Sequence, residues 1–235
     1  MKAVLLAAGK GSRLGSVTET IPKPMLEVRG KPILRNTIEQ CKLYGITELF
    51  INTHHLAEQI RNTFGDGSAF GVNIEYSFEP ELLGTAGALK NFKTHLQDEP
   101  FFVIYGDNYI PYDLAQIYQY HLRKNGIATI VLYHLDDVSL SGIAVLDEDD
   151  VILRFIEKPK PEETISHLVN TGVYVCSPEI FKFIDEGFSD FGKDIFPKMI
   201  AGGEKLYGCV MQENMLAVDT WELYQKAKEL DVVAE

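Results

Sequence analysis

Cysteine is scarce in this chain, and the three present, Cys41, Cys176 and Cys209, lie far apart with no CxxC pair. That excludes a disulfide framework and a cysteine-built zinc site, and it fits reduced, packed thiols in a cytoplasmic protein. Long apolar runs are missing too. No segment is long enough to span a bilayer, and the first residues lack the layout of a signal peptide, so no membrane partner is expected. Internal repeats, low-complexity tracts and Pro/Ser-rich linkers are absent, which argues for one continuous domain rather than a solenoid or a string of modules. Basic residues are in deficit, 22 against 34 acidic, for a net charge of −12. Such a surface repels polyphosphate backbones and argues against nucleic acid as a partner. It does not forbid a small phosphorylated ligand, because a few placed cations and a metal can make a local positive site. The choice between monomer and homo-oligomer stays open.

What is present is the composition of a soluble globular protein, 46% hydrophobic and 24% charged over 235 residues. The run Lys2–Ala8 is continuously apolar and reads as a strand buried on both faces. A long loop from Gly9 to Gly30 follows. Pro32 then opens a helix that runs to about Tyr44. Strands are predicted at Glu48–Asn52, Asn73–Phe78, Phe101–Tyr105 and Ala128–His134. Helices are predicted at His55–Phe64, Thr85–Phe92 and Asp113–Lys124, the last with Asp113 as N-cap. This alternation predicts an α/β fold with a doubly wound, mixed but mainly parallel sheet, and ligands at the strand C-termini. The second half is less regular, with strands at Ile143–Leu146, Val151–Ile156 and Val169–Cys176 and helices at Pro178–Ile184, near Asp194–Ile200 and at Trp221–Leu230. The more regular first half, residues 1–110, and the less regular second half, 111–235, are read as parts of that single domain.

The loop after the first strand carries the first chemistry. A glycine-rich turn leaving a buried strand presents backbone N–H groups to phosphate oxygens. Two familiar phosphate loops fail here. A Walker A loop needs glycine five residues before its Gly-Lys pair, and Val4 stands there before Gly9-Lys10. A dinucleotide fingerprint needs a third glycine or small residue, and Leu14 stands there after Gly9 and Gly11. What remains is a loop with Arg13 and, ten residues on, Lys23 between Pro22 and Pro24. Two cations on one such loop can neutralise a triphosphate and stabilise charge as pyrophosphate leaves.

These residues resemble the signature of the sugar-1-phosphate nucleotidylyltransferases, a G-x-G-x-R-L loop followed by P-K-P. Gly9, Gly11, Arg13, Leu14, Pro22, Lys23 and Pro24 match it. Further matches follow in order over the whole chain: Leu83–Gly87 (LGTAG), Gly106-Asp107-Asn108, Glu157-Lys158-Pro159, Asn170-Thr171-Gly172, and Asp219 just before Trp221. The LGTAG segment is most similar to mannose-1-phosphate guanylyltransferases and related heptose enzymes. Ser16 departs from the pattern, standing where the family usually has proline. The left-handed β-helix of many relatives is absent, so no acetyltransferase activity is implied.

The resemblance implies a Rossmann-like nucleotidyltransferase fold that joins a nucleoside triphosphate, here GTP, to a mannose- or heptose-type sugar 1-phosphate with Mg²⁺. Arg13, Lys23 and Asp107 would be catalytic, with Asp107 and Asp219 holding the metal. Leu6, Ala8, Gly9, Gly11, Ser12, Arg13, Lys23, Glu79, Gly84 and Thr85 would bind nucleotide; Glu79, or Glu81 beside it, could accept from guanine. Gly142, Glu157, Lys158 and Asn170 would bind the sugar phosphate. A UTP-, dTTP- or CTP-dependent enzyme of the same class is the alternative. A non-catalytic sensing subunit is disfavoured because every charged motif residue is present, and a choline-phosphate cytidylyltransferase by the Glu157-Lys158-Pro159 segment. Taken alone, Asp107 reads equally as a turn aspartate and Asp219 as a helix N-cap. His54-His55 reads as helix-start and packing residues, since neighbours on an extended chain point to opposite faces.

Overall fold

A computed structural model describes residues 1–229, so Leu230, the expected end of the last helix, lies outside the described residues. The chain divides into two compact units that interleave along the sequence. Among the described residues, the first comprises 1–82, 104–111 and 215–229, and the second 83–103 and 112–214. The division does not follow the chain midpoint: Gly84 and Thr85 belong to the second unit, Asp107 and Asp219 to the first.

In the first unit the apolar run forms strand β1 (Lys2–Leu6), which pairs in parallel with β2 (Glu48–Thr53). This in turn pairs in parallel with β3 (Asn73–Phe78). The helices between them, Ile33–Leu43 and Ala57–Phe64, bury Ile33, Leu34, Ile38 and Cys41 on one and Ala57, Ile60 and Phe64 on the other. That is the α-helical spacing of an amphipathic face. The end of β4 (Phe101–Tyr105) reaches this unit, where Gly106 N–H donates to the Leu6 carbonyl at 2.9 Å. Asp107 therefore emerges beside the C-terminal end of β1.

The long loop is not irregular. It contains a 3₁₀ turn at Ser12–Leu14, a short helix at Val17–Thr20 and a second 3₁₀ turn at Lys23–Met25. A small cluster holds it: Leu14, Leu26, Val28 and Ile33 pack with Val218, Tyr224 and Ala227 near the end of the chain. Leu14 adjoins Arg13 and Val218 adjoins Asp219, so the buried neighbour of each charged residue fixes its position. Burying each such side chain stabilises by about 1.5–3 kcal/mol.

The second unit is mixed. Strands β5 (Ala128–His134), β6 (Gly142–Leu146), β7 (Ile152–Glu157), β8 (Leu168–Cys176) and β9 (Leu206–Val210) pair as β7–β6, β6–β8 and β8–β5 antiparallel and β5–β9 in parallel. Asp113 caps the helix Leu114–Lys124 by accepting from Gln116 N–H, as its position predicts. Three elements differ from expectation. The helix placed at Thr85–Phe92 is one turn at Gly84–Gly87 followed by a 3₁₀ stretch, Ala88–His95. Pro178–Lys182 is also 3₁₀. The helix near Asp194 starts earlier, as a π turn at Phe191–Ile195, before the α-helix Phe196–Ala201. The strand Leu206–Val210 has no counterpart in the sequence reading. No helix among the described residues is long and apolar enough to cross a membrane.

Candidate active site

Gly11 turns with φ +64°, and a Cβ there would meet Thr18 Cγ2 at 2.9 Å and Lys23 Cβ at 3.0 Å, so glycine is required. The buried Thr18 hydroxyl lies 3.1 Å from both the Gly11 and Gly15 carbonyls, tying the loop to itself. His55 Nε2 pairs with the Thr18 carbonyl at 2.7 Å and His54 Nδ1 with that of Glu79 at 2.7 Å. Both histidines therefore brace backbone, the packing role expected of them. Ser16 has φ −63°, the value a proline would impose, so the departure at this position leaves the backbone path unchanged.

The loop closes over a cleft of about 200 Å³ lined by Gly9, Gly11, Ser12, Arg13, Lys23, Asp107 and Asp219. All seven lie in the first unit. The Lys23 side chain is 6% exposed, and its Nζ donates to Asp107 Oδ2 and to Asp219 Oδ1, each at 2.6 Å. Arg13 reaches the same Asp219 oxygen at 3.2 Å from a half-exposed position. Burial opposes the ammonium charge, but the two carboxylates outweigh it and raise the Lys23 pKa above the ordinary lysine value. Two positive and two negative groups thus face one small cleft beside a glycine loop.

Among the described residues no group of three or more Asp, Glu, His or Cys could hold a metal. The protein offers two carboxylates here, and that set fits magnesium, which takes one or two carboxylates and completes its shell with phosphate and water. The carboxylates already converge on one cation, the Lys23 ammonium, so the pair is arranged to receive positive charge.

Leu6 and Ala8, on and just after β1, are buried and do not line this cleft. Glu79 is 1% exposed. Its Oε1 accepts from Asn52 Nδ2 at 2.8 Å, and Asn52 Oδ1 accepts from Ala7 N–H at 2.8 Å. The two bonds tie the ends of β1, β2 and β3 together. Glu81, by contrast, is exposed. Asn52 is a residue the sequence reading missed; a polar side chain in the buried run ELFIN was the available signal.

The second unit gathers the remaining residues. Glu157 pairs in register with Gly142. A Cβ on Gly142 would come within 2.6 Å of Glu157 Oε2, so the glycine makes room for the carboxylate. Lys158 is exposed with φ +52°, a conformation costing a non-glycine residue ~1–3 kcal/mol and often found at functional sites. Its N–H donates to the Ser141 carbonyl at 3.1 Å. Asn170 spends its amide inside the strand: Nδ2 donates to Tyr174 Oη at 2.8 Å and Oδ1 accepts from Gly172 N–H at 3.0 Å, where the β8–β5 register breaks. Thr85 donates to Asp190 Oδ2 at 3.0 Å and accepts from Phe191 N–H at 2.9 Å, so its hydroxyl is engaged within this unit.

The Nucleotidyl transferase family model matches residues 2–229. The chain belongs to that family. It is 40% identical to the UTP–glucose-1-phosphate uridylyltransferase of Synechocystis, over 94% of this chain and 62% of that protein. It is 34% identical to the mannose-1-phosphate guanyltransferase of Yarrowia lipolytica, over 88% of this chain and 57% of that one. The chain thus spans about three fifths of the length of these curated relatives. Among solved structures, a Bacillus anthracis protein described as a candidate glucose-1-phosphate thymidylyltransferase, in complex with sucrose, superimposes with a TM-score of 0.89. That match has 26% identity and covers 98% of this chain and 95% of that one. The mixed α/β, Rossmann-like nucleotidyltransferase fold expected from the sequence is the fold of this family.

Proposed function

We propose that this nucleotidyltransferase transfers a nucleoside monophosphate from a triphosphate to a sugar 1-phosphate, releasing pyrophosphate. The observation that carries the reading is the Arg13–Lys23–Asp107–Asp219 cluster on the glycine loop. The loop amides would cradle the triphosphate, and Arg13 and Lys23 would neutralise charge that grows on the departing pyrophosphate. Asp107 and Asp219 would hold Mg²⁺, which when bound supplies Lewis-acid polarisation of the phosphoryl oxygens. Glu157 would accept sugar hydroxyls and Lys158 would pair with the sugar phosphate, with the Gly142 backbone and Asn170 alongside. No side-chain nucleophile is needed, since positioning and electrostatics carry phosphoryl chemistry. The buried thiols, with Cys41 pushed up to about 12 by burial, are inert and fit a cytoplasmic enzyme.

GTP is the proposed triphosphate, on the Leu83–Gly87 segment, on Glu79 held by Asn52, and on the guanyltransferase relative. Mannose- or heptose-type sugars go with it. UTP with a glucose-type sugar is the second reading, favoured by the relative at 40% identity. A panel of GTP, UTP, dTTP, CTP and ATP crossed with sugar 1-phosphates, read as pyrophosphate release, separates them. The proposal requires kcat/KM to be highest with GTP; a clear pyrimidine preference refutes the base and leaves the class standing. No release with any pair refutes the class.

A further inference from the structure

The segment Ser189–Ile195 (SDFGKDI) drew no functional reading from its sequence. In the second unit it joins two motifs that did. The Ser189 carbonyl accepts from Ala86 N–H at 2.9 Å and Gly87 N–H at 3.0 Å, and its N–H donates to the Leu83 carbonyl at 2.9 Å. Asp190 follows. Its Oδ2 accepts the Thr85 hydroxyl, while Oδ1 accepts from Gly192 N–H at 3.0 Å and Lys193 N–H at 3.1 Å. One carboxylate therefore both anchors the LGTAG segment and caps the π turn Phe191–Ile195. Such turns are rare and concentrate at functional sites. The turn is locked from below: the Phe191 ring lies 5.0 Å from Tyr174 and 5.3 Å from Phe196, centroid to centroid.

The turn presents Gly192, which is buried. A Cβ at Gly192 would lie 2.7 Å from Glu157 Oε2 and 3.1 Å from Phe155 Cε1. Gly142 makes the same demand on the same oxygen from the paired strand. The Glu157 carboxylate is thus clamped between two glycines, one set by strand register and the other by Asp190.

We propose that Asp190 is a positioning residue for Glu157: by capping the π turn and holding Thr85 it sets Gly192 against the carboxylate that meets the sugar hydroxyls. This rests on the assignment of Glu157 to the sugar. A fixed carboxylate distinguishes a hydroxyl in one configuration from its epimer, because a misplaced hydroxyl leaves a polar group unpaired. The Thr85 hydroxyl accordingly acts toward the sugar, through Asp190.

The test compares KM for sugar 1-phosphate and for nucleotide in Glu157→Gln, Gly192→Ala, Asp190→Asn, Thr85→Val and Thr85→Ser, and in the Glu157→Gln/Gly192→Ala double variant. Gly192→Ala and Asp190→Asn are expected to raise the sugar-phosphate KM at least about tenfold, as small misplacements near reacting groups do. In Gly192→Ala, which leaves the LGTAG segment and its bond to Asp190 untouched, nucleotide KM should stay within about twofold. Thr85→Val should follow in the same direction and Thr85→Ser should restore wild-type values. The double variant should be no worse than Glu157→Gln alone, since both changes act on one group. Additive effects in the double variant, or an unchanged sugar KM in Gly192→Ala, overturn the positioning role. An unchanged sugar KM in Glu157→Gln instead overturns the assignment of Glu157, and the inference with it. Should Asp190→Asn fail to fold, the Thr85 pair decides, since Val removes the hydroxyl and Ser keeps it: equal sugar KM in the two overturns the inference.

Discussion

The two compact units bury polar groups in opposite ways. The first keeps a charge inside as a charge: Lys23, almost fully buried, is held by Asp107 and Asp219 at 2.6 Å each. The second keeps its interior groups neutral or saturates them with backbone N–H. His121, 2% exposed, lies 3.0 Å from Thr129 Oγ1 and 3.0 Å from Ser177 Oγ. Ser177 gives its proton to the Gly126 carbonyl, so His121 Nε2 donates to Ser177 and Nδ1 accepts from Thr129. The Asp190 carboxylate meets three donors, two of them on Oδ1 from the turn it caps. A cluster of paired charges suits binding polyphosphate; side chains fixed by hydroxyl and backbone hydrogen bonds suit reading hydroxyl positions.

The largest expected effect strikes the charged unit. Asp107→Asn keeps the side-chain shape but removes one anion, and kcat should fall by at least about a hundredfold with the fold intact. Full activity of that variant, or of the wild type in EDTA, breaks the metal assignment. Lys23→Met removes the buried cation that Asp107 and Asp219 share. Because both keep about a quarter of their exposure, destabilisation near the lower end of the ~3–5 kcal/mol typical of a broken buried pair is expected in urea melts. A loss under about 0.5 kcal/mol would mean the pairs contribute no more than surface bridges.

In the second unit, burial pushes the His121 pKa down to about 4. Its folded pKa lies below the unfolded value of about 6.5, so between these pH values the unfolded chain binds the extra proton. Stability should fall as pH drops from 6.5 toward 4, by at most ~3 kcal/mol in all. Melting curves from pH 7 to 5 check this, with His121→Gln expected to flatten the slope. An unchanged slope in that variant would contradict the neutral buried imidazole.

Much of this arrangement was legible in the sequence, and the reason is local. Glycine, proline and charged residues in fixed order mark the loop Gly9–Pro24, and an apolar run marks β1; both are properties of adjacent residues. What escaped depends on residues far apart in the chain. That Lys23 lies between Asp107 and Asp219 spans up to 196 positions. Asn52 and Asp190 carry no motif, and their meaning appears only when strand ends or the LGTAG turn come against them. The 3₁₀ stretches Ala88–His95 and Pro178–Lys182 fall where ordinary helix is expected, because apolar periodicity cannot tell neighbouring helical pitches apart over one or two turns.

The smallest effect concerns the loop. At Ser16, φ already suits proline, so Ser16→Pro should leave activity unchanged and stabilise by about 0.4–1 kcal/mol through the unfolded state. Destabilisation would show that the loop needs freedom at this point.

The central proposal is that the first unit handles the phosphates of the triphosphate and the second the sugar phosphate, with the base assigned to Leu83–Gly87. Steady-state kinetics of Arg13→Ala and Lys158→Ala, with both substrates varied, test it most directly. Arg13→Ala should mainly lower kcat. Lys158→Ala should raise KM for the sugar phosphate by about ten- to a hundredfold, the worth of one charged contact of ~1.5–3 kcal/mol, while nucleotide KM holds. If Lys158→Ala instead weakens only the nucleotide, or both variants stay within about twofold of wild type, the division of labour is wrong.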